Sequence, residues 1–599
     1  MSWKEGLRWR KISLKPSRMS DRIESALANA RAHLLSMRNA AGYWDGELSS
    51  SALSTATAIV ALHGVDSVRH AAWIEAGARW LVANQNADGG WGDTTISKSN
   101  LSTTLLCWSA LRLCGDAGMQ RRRDAEKVCE AWILKQVGSL EPGDIARAVI
   151  ARYGKDKTFS VPILMLCCIG GTLGEKAWRR VLPLPFELAA LPREWFGAVG
   201  LPVVSYALPA LIAIGYTRFK NAPPAWWNPL RWLRGALWGR ISPMLKTLQP
   251  SSGGYLEATP LTSFVTMALA AAGEKDHPCV PGAVAFLTRS MREDGSWPID
   301  TNLATWGTTL SVKALGVMEP ATKAWLLGQQ YHEVHPFTNA APGGWAWTDL
   351  PGGVPDADDT AGALIALKME DAEMGRRGDA ERVKAGITWL LDLQNRDGGM
   401  PTFCRGWGTL PFDRSSPELT AHALLAWWLW QPDALQNRIA KATGSALAYL
   451  RKTQRADGSW IPLWFGNENA DAEENPVYGT AMVVGYLSGT PSLSELCGDL
   501  IQRGRDYLLS VQKSEGGLGG DVNAPATIEE TAVSARALLG GDARARECAL
   551  RAVDWLLSAT KDGTYFPTAP IGLYFARLWY HERLYPVVWT AQALRAARG

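Results

Sequence analysis

The chain has 599 residues, 47% of them hydrophobic and 20% charged, with a formal net charge of +4. That length makes several domains or two large ones, and the apolar share supplies a sizeable core. So small a charge argues against a nucleic-acid partner, which calls for a concentrated basic face. Tryptophan is the outlier at 29 residues, against 14 Tyr and 12 Phe. Nine cysteines, an odd number without any CxxC pair, suggest reduced thiols in a cytosolic compartment, with neither a disulfide framework nor a zinc site.

The basic stretch Met1–Lys15 is not followed by a long apolar run, so no secretory signal is expected. From there a repeat runs along the chain. ARAHLLSMRNAAGYW ends at Trp44, GARWLVANQNADGGW at Trp91, AVAFLTRSMREDGSW at Trp297 and AGITWLLDLQNRDGGM at Met400. ALAYLRKTQRADGSW ends at Trp460, GRDYLLSVQKSEGGL at Leu518 and AVDWLLSATKDGTY at Tyr565. Recurrence at this interval marks an array of supersecondary units. Within a copy the apolar residues keep helical spacing, as at Trp389, Leu390 and Leu393, and a glycine then breaks the helix. Gln85, Gln394, Gln454 and Gln512 are placed to satisfy backbone groups around these turns, and the tryptophan to pack on the turn. Ala- and Leu-rich helical runs lie between copies, without alternating strand patterns. The expected fold class is all-α: paired helices closing into α/α barrels, with the repeats structural.

Two neighbouring segments stand apart. Leu201–Gly215 is apolar but broken by Pro202 and Pro209, and too short to span a bilayer. Arg218–Arg240 interleaves Trp226, Trp227, Trp232 and Trp238 with Arg231, Arg234 and Arg240, a mixture suited to the headgroup zone of a membrane. Together they suggest monotopic attachment to one leaflet.

The chemistry centres on PDADDTAGAL, which sets Asp356, Asp358 and Asp359 against an apolar helical run. A solvated turn is one reading. A hard-metal site is another, but the acidic ADAEEN at Ala470–Asn475 is too distant in sequence to complete one obviously. A paired-carboxylate glycosidase is a third. A Brønsted acid is the fourth: crowding keeps one carboxyl protonated, and a cationic histidine bonded to it eases the proton off. Such an acid protonates an alkene where water is excluded, and aromatic faces then stabilise the carbocation.

DADDTA, preceded by PGGWAW and combined with the repeated Q-x-x-D-G-x-W turns, resembles squalene-hopene cyclases and their oxidosqualene cyclase relatives over essentially the whole chain. The resemblance implies a monotopic enzyme of two α/α barrels, on the cytoplasmic face of a membrane, that protonates and cyclises a linear polyprene. It implies neither metal nor organic cofactor and no nucleic-acid partner, with membrane lipids as partners, and leaves a homodimer open. Residues 21–300 would form the first barrel, with its membrane-facing segment near 200–240. Residues 301–599 would form the second, with residues 1–20 packing on it. By the match Asp358 is the acid, Asp356 and Asp359 support it, and His422 of PELTAH is the histidine bonded to it. Tyr478 matches a tyrosine near the acid, while Trp306, Trp347, Trp460, Trp464, Phe575, Trp579 and Tyr580 match aromatics around the substrate.

Several positions depart from the family pattern. TWGTT places Gly307 at an acidic position, Thr55 and Thr57 stand where glutamates are usual, and Ile461–Pro476 is an insertion. Tyr153–Pro162 is not placed by the family pattern, and two repeats end in Met400 and Leu518. Squalene converted to a hopene-type product is the expected reaction. The alternatives are a shorter or different polyprene, a glycan-active barrel and a lipid-binding barrel.

Overall fold

The computed structural model describes residues 16–114, 120–154, 157–174, 176–192, 195, 208–336, 338–369, 377–405, 411–573, 575 and 577–598. Residues 1–15 of the expected tail, 155–156 of the unmatched stretch and 201–207 of the apolar run lie outside them.

Helix α1 (Pro16–Ser36) comes first in the chain. The next half is built on five inner helices: α2 (Ala52–Asp66), α3 (Leu101–Leu113), α4 (Lys157–Ile169), α5 (Leu208–Asn221) and α6 (Thr259–Ala271). Each packs on its successor and α6 returns to α2, closing a ring. The other half has six inner helices: α7 (Ala304–Leu315), α8 (Ala357–Lys368), α9 (Pro417–Trp430), α10 (Pro476–Leu487), α11 (Ile528–Leu539) and α12 (Leu584–Arg598). They too close on themselves, α12 against α7. Amphipathic helices such as Arg377–Leu393 and Gly498–Val511 wrap the outside. The division of labour follows from composition: α7 and α8 are buried on almost every side, as helices rich in Ala, Leu, Thr and Ser can be, while the outer helices keep a charged face in water.

One hydrophobic core runs from Ala52 to Trp297 and the other from Trp306 to Leu594. The second also takes in Ile23, Ala26, Leu27, Ala30, Leu34 and Trp44. Helix α1 packs on α12 and on the outer helix Ala543–Ala559. Residues 21–44 therefore belong with the second half, correcting the expected start of the first barrel at 21; an outer-helix pattern carries no label for the ring it joins.

The repeat turns act as staples. The Gln454 amide donates to the Gly458 carbonyl (3.0 Å) within its turn and to the Leu500 carbonyl (3.1 Å) at the next outer helix. Gln85, Gln394 and Gln512 make the same pair of bonds. In these four turns the final residue donates its amide to an inner-helix threonine, as Trp460 does to Thr480 (3.0 Å). Gly458 sits at φ 91°, where a Cβ would come within 2.2 Å of the Arg503 carbonyl oxygen. Gln249 and Gln330 form two further staples that the repeat pattern missed. In the first Tyr255 replaces the tryptophan; in the second a long loop separates Gln330 from Trp345.

Candidate active site

Helix α8 begins where the loop before it doubles back, the Asp356 amide donating to the Trp345 carbonyl (2.9 Å). Asp356 is the N-cap, extended at φ −139°, and its Oδ1 accepts from the Asp359 amide (2.8 Å). Asp358 and Asp359 occupy the first turn, where the unbonded amides of a helix start favour negative charge. Burial opposes this. It pushes the Asp356 carboxyl up to about 8, and burial together with the Asp356 charge pushes Asp359 well above the usual carboxylate range. Two carboxyls so dry and so close do not both ionise. Asp358 differs from both: its side chain is 21% exposed, so it alone of the three has an open face.

His422 lies on α9 with its side chain fully buried, its Nδ1 2.5 Å from Asp358 Oδ1 and its ring stacked on Tyr486 (4.2 Å between centroids). Burial, then the charge of Lys313, lowers the imidazole to about 4. Burial thus opposes a charge on the ring, and its Nδ1 shares a short hydrogen bond with Asp358. Nε2 meets no protein partner.

Sequence reasoning missed three groups here. Glu418 is one turn before His422, its carboxylate accepting from Ser416 Oγ and the Leu463 amide (3.0 Å), and burial pushes it up to about 7. Its spacing of four from His422 on an otherwise apolar helix was the available signal. Tyr486 was hidden among apolar neighbours. Lys313 is a buried lysine on α7 whose ammonium stands 5.7 Å from the centre of the Trp306 ring.

The nominated aromatics fall into two sets and two outliers. Trp306 donates its indole N–H to Tyr585 Oη (3.1 Å), and Tyr580 meets the same hydroxyl (3.1 Å). Phe465 stands 6.2 Å from Trp306 and stacks at 4.7 Å on Tyr478, with Trp589 edge-on. Phe465, Tyr585 and Trp589 were not nominated; Phe465 belongs to the insertion and takes φ 64°, a left-handed value a phenylalanine rarely adopts. The other set is a chain of rings, Trp347–Phe403–Trp464–Phe575, with successive centroids 5.1–6.3 Å apart. Phe159, from the stretch the family pattern left unmatched, continues it into the first barrel. Phe403 also lines a groove of about 360 Å³ with Trp389, Leu393 and Arg405.

Trp460 and Trp579 join neither set. Trp460 is a staple tryptophan, fully buried, its indole N–H on the Leu450 carbonyl (3.0 Å). Trp579 and Tyr580 are neighbours on a short strand and so point to opposite faces; the Trp579 amide donates to Asp93 (2.7 Å) of the first barrel.

The departures have physical accounts. A Cβ on Gly307 would stand 3.0 Å from Leu584 Cδ1, so any side chain there has to push that methyl aside. Thr55 accepts the Trp297 amide (3.0 Å) and Thr57 bonds the Ser54 carbonyl (2.9 Å), both at the heart of the first ring. Among the described residues no three His, Cys, Asp or Glu side chains are grouped so as to hold a metal ion.

On the outside of the first half Trp226, Trp227 and Trp232 stand out, each about 70% exposed, with Leu230 and Leu233 beside them. Trp238 instead stacks on Tyr216 (3.4 Å) and Arg234 is buried against Glu187 (2.9 Å), so those two face inward. No described helix is long and apolar enough to cross a membrane.

The chain matches the squalene-hopene cyclase N-terminal domain over residues 27–207 and the C-terminal domain over residues 304–598. A probable squalene–hopene cyclase of Sinorhizobium fredii is 24% identical over 93% of this chain and 94% of its own length. The drimenyl diphosphate synthase of Streptantibioticus cattleyicolor is 28% identical over 47% of this chain and 50% of its own. In structure the chain is similar to an ent-copalyl diphosphate synthase from Streptomyces platensis, with a TM-score of 0.57, 20% identity, and coverage of 96% of this chain and 99% of that one. Both halves are thus accounted for: the chain belongs to the squalene-hopene cyclase family of class II terpene cyclases, has the α/α-barrel fold, and is an isomerase, an intramolecular transferase.

Proposed function

We propose that Asp358 protonates a linear polyprene, most simply squalene, and that the resulting cation closes a hopene-type polycyclic triterpene. The observation that carries this reading is the asymmetry of the aspartates. Asp356 and Asp359 are buried, while Asp358 is partly open and bonded to His422. His422 donates to one oxygen of Asp358, which leaves the acidic proton on the other, facing outward. The Asp358 O–H bond breaks as a C–H bond forms with the π electrons of the alkene, and the carboxylate regains a proton from solvent after turnover. Trp306, Tyr478 and Phe465 supply the aromatic faces that favour a cation. The cascade ends by loss of a proton or capture of water.

The exposed indoles of residues 226–232 support a monotopic seat on the cytoplasmic leaflet, with lipids as partners and the apolar substrate delivered from the bilayer. A second reading, a shorter polyprenyl or prenyl diphosphate substrate, is supported by the likeness of nearly half the chain to the drimenyl diphosphate synthase.

The test incubates detergent-solubilised protein with squalene, and separately with farnesyl and geranylgeranyl diphosphates, followed by gas chromatography–mass spectrometry after dephosphorylation where needed. A cyclic triterpene from the wild type and none from a folded Asp358→Asn is the expected result. Cyclic products from the diphosphates alone would replace squalene with the second reading. Unchanged substrates throughout would reject both.

A further inference from the structure

Two segments that depart from the squalene-hopene pattern, Tyr153–Pro162 and the insertion Ile461–Pro476, meet at one place between the barrels. Arg152 lies in the last turn of the helix Pro142–Tyr153 of the first barrel, and Glu473 belongs to the insertion. Arg577 lies in the turn of the hairpin formed by Ile571–Leu573 and Leu578–Tyr580. Arg152 Nη2 donates to Glu473 Oε1 (3.1 Å), and Arg577 Nε stands 3.0 Å from Oε2 of the same carboxylate.

The trio is not a balanced ion pair. Two guanidinium groups share one carboxylate, which leaves one positive charge over. The buried Nε of Arg152 meets no hydrogen-bond acceptor among the described residues, and Glu473 Oε2 receives no aligned hydrogen bond despite its distance to Arg577. Buried polar groups in that state call for a partner. The backbone is strained at the same spot: Ala472, Glu473 and Arg577 take φ values of 55°, 61° and 50°. Strain of this kind collects where ligands are clamped. Of the other carboxylates around Arg152, Asp93 accepts the Trp579 amide (2.7 Å) and Glu468 the Lys98 amide (3.2 Å). Burial pushes both up, Glu468 to about 7, so they oppose the arginines weakly.

A path of rings joins this place to the acid. The chain Trp347–Phe403–Trp464–Phe575–Phe159 begins two residues from Trp345, whose carbonyl accepts the Asp356 amide. It ends with Phe159 stacked at 6.0 Å on Tyr153, the neighbour of Arg152. An aromatic path with an acid at one end and guanidinium groups at the other suits a polyprene with a charged head. A hydrocarbon has nothing to set against an arginine, whereas the planar guanidinium fork matches phosphate oxygens.

We propose that Arg152 and Arg577 bind the head group of a prenyl diphosphate whose far alkene reaches Asp358, with Glu473 holding the two guanidinium groups until the head group takes them over. The inference rests on the cyclase reading above, and within it selects the diphosphate substrate over squalene. The head group is an anchor; no bond in it is made or broken.

The test measures equilibrium binding to full-length Asp358→Asn protein, in which the ligand is not turned over. The probes are farnesyl and geranylgeranyl diphosphates against farnesol and geranylgeraniol. At one chain length or both, the diphosphate should bind roughly tenfold or more tightly than the alcohol. Adding Arg152→Ala or Arg577→Ala should remove most of that gap and leave alcohol binding unmoved, with circular dichroism checking the fold. Glu473→Gln should keep or widen the gap, since it removes the competing anion. A merely structural clamp would instead make all three substitutions act alike, and that result would overturn the proposal. So would the absence of any gap in the parent protein, which is read without an arginine variant. An otherwise wild-type chain that turns over neither squalene nor the diphosphates, yet keeps the gap, fails the cyclase reading and leaves the head-group site standing. A chain that cyclises the diphosphates with unchanged KM in both arginine variants fails the site alone.

Discussion

The two barrels share an architecture and differ in what their inner helices bury. In the first, the buried polar side chains of the inner helices are hydroxyls, among them Thr55, Ser102, Thr104, Thr217, Thr262 and Thr266. These largely satisfy themselves on their own helix: Thr217 bonds the Ala213 carbonyl (2.8 Å) and Thr266 the Thr262 carbonyl (2.7 Å). In the second, the same kind of helix buries Lys313, Asp356, Asp359, Glu418, His422, Glu529 and Glu530. Ionisable groups cannot be quieted by the carbonyl one turn back. Each needs a proton, a partner or both, and the second barrel is where proton chemistry is available. One architecture thus holds a ring lined by buried hydroxyls and a ring lined by buried ionisable groups.

The sharpest break of that contrast is Asp358→Asn. It should cost about 10²–10⁴-fold in kcat with no loss of folding, whereas Thr262→Val in the first ring should leave kcat unchanged; product formation and circular dichroism report both. Next in size, replacing Trp226, Trp227 and Trp232 together by alanine should weaken co-sedimentation with vesicles on the order of tenfold or more, since the proposed membrane seat lies on the first barrel. Undiminished binding would move the membrane seat elsewhere. Gln454→Ala and Gln85→Ala should each destabilise by about 2 kcal/mol in denaturant unfolding, because two buried carbonyls lose their donor. Equal effects would show that the staple is indifferent to the ring it serves.

The smallest effect is one of pH. Burial pushes Glu418 up to about 7 and Asp356, Glu529 and Glu582 up to about 8. Folding binds protons at these groups, so their contribution is full below the ordinary carboxylate value and is lost as pH rises through about 7–8. Lys313, lowered to about 8, works in the opposite sense above that value, but it is one group against four. Melting temperature should therefore fall from pH 6.5 to pH 9, and a rise would place the protons elsewhere.

Much of this was legible in the sequence because the repeat turn is local. A glutamine, a glycine of positive φ and a tryptophan, all within a short span, announce the staple, and DADDTA announces the acid. What escaped was non-local. Trp460 and Trp579 were indistinguishable in type from Trp306, since an indole carries no mark of the face it will occupy. Phe465 meets Trp306 across more than 150 residues of chain, and Trp589 meets Phe465 across more than 120. The burial of Lys313 inside the second ring likewise left no mark in its local sequence.

Helix α1 also bears on how the chain assembles. It is anchored to the far end of the sequence: Arg22 pairs with Asp554 (2.9 Å) and Asp562 (2.6 Å), and Asn29 donates to the Asp562 carbonyl (3.0 Å). During synthesis the first ring can close as soon as α6 has emerged. Helix α1 must wait, its apolar stripe uncovered, until α12 arrives at the very end. The second barrel is thus completed by contacts of the greatest sequence separation, which form slowly. Of the described helices, the first in the chain is thus among the last to find its place.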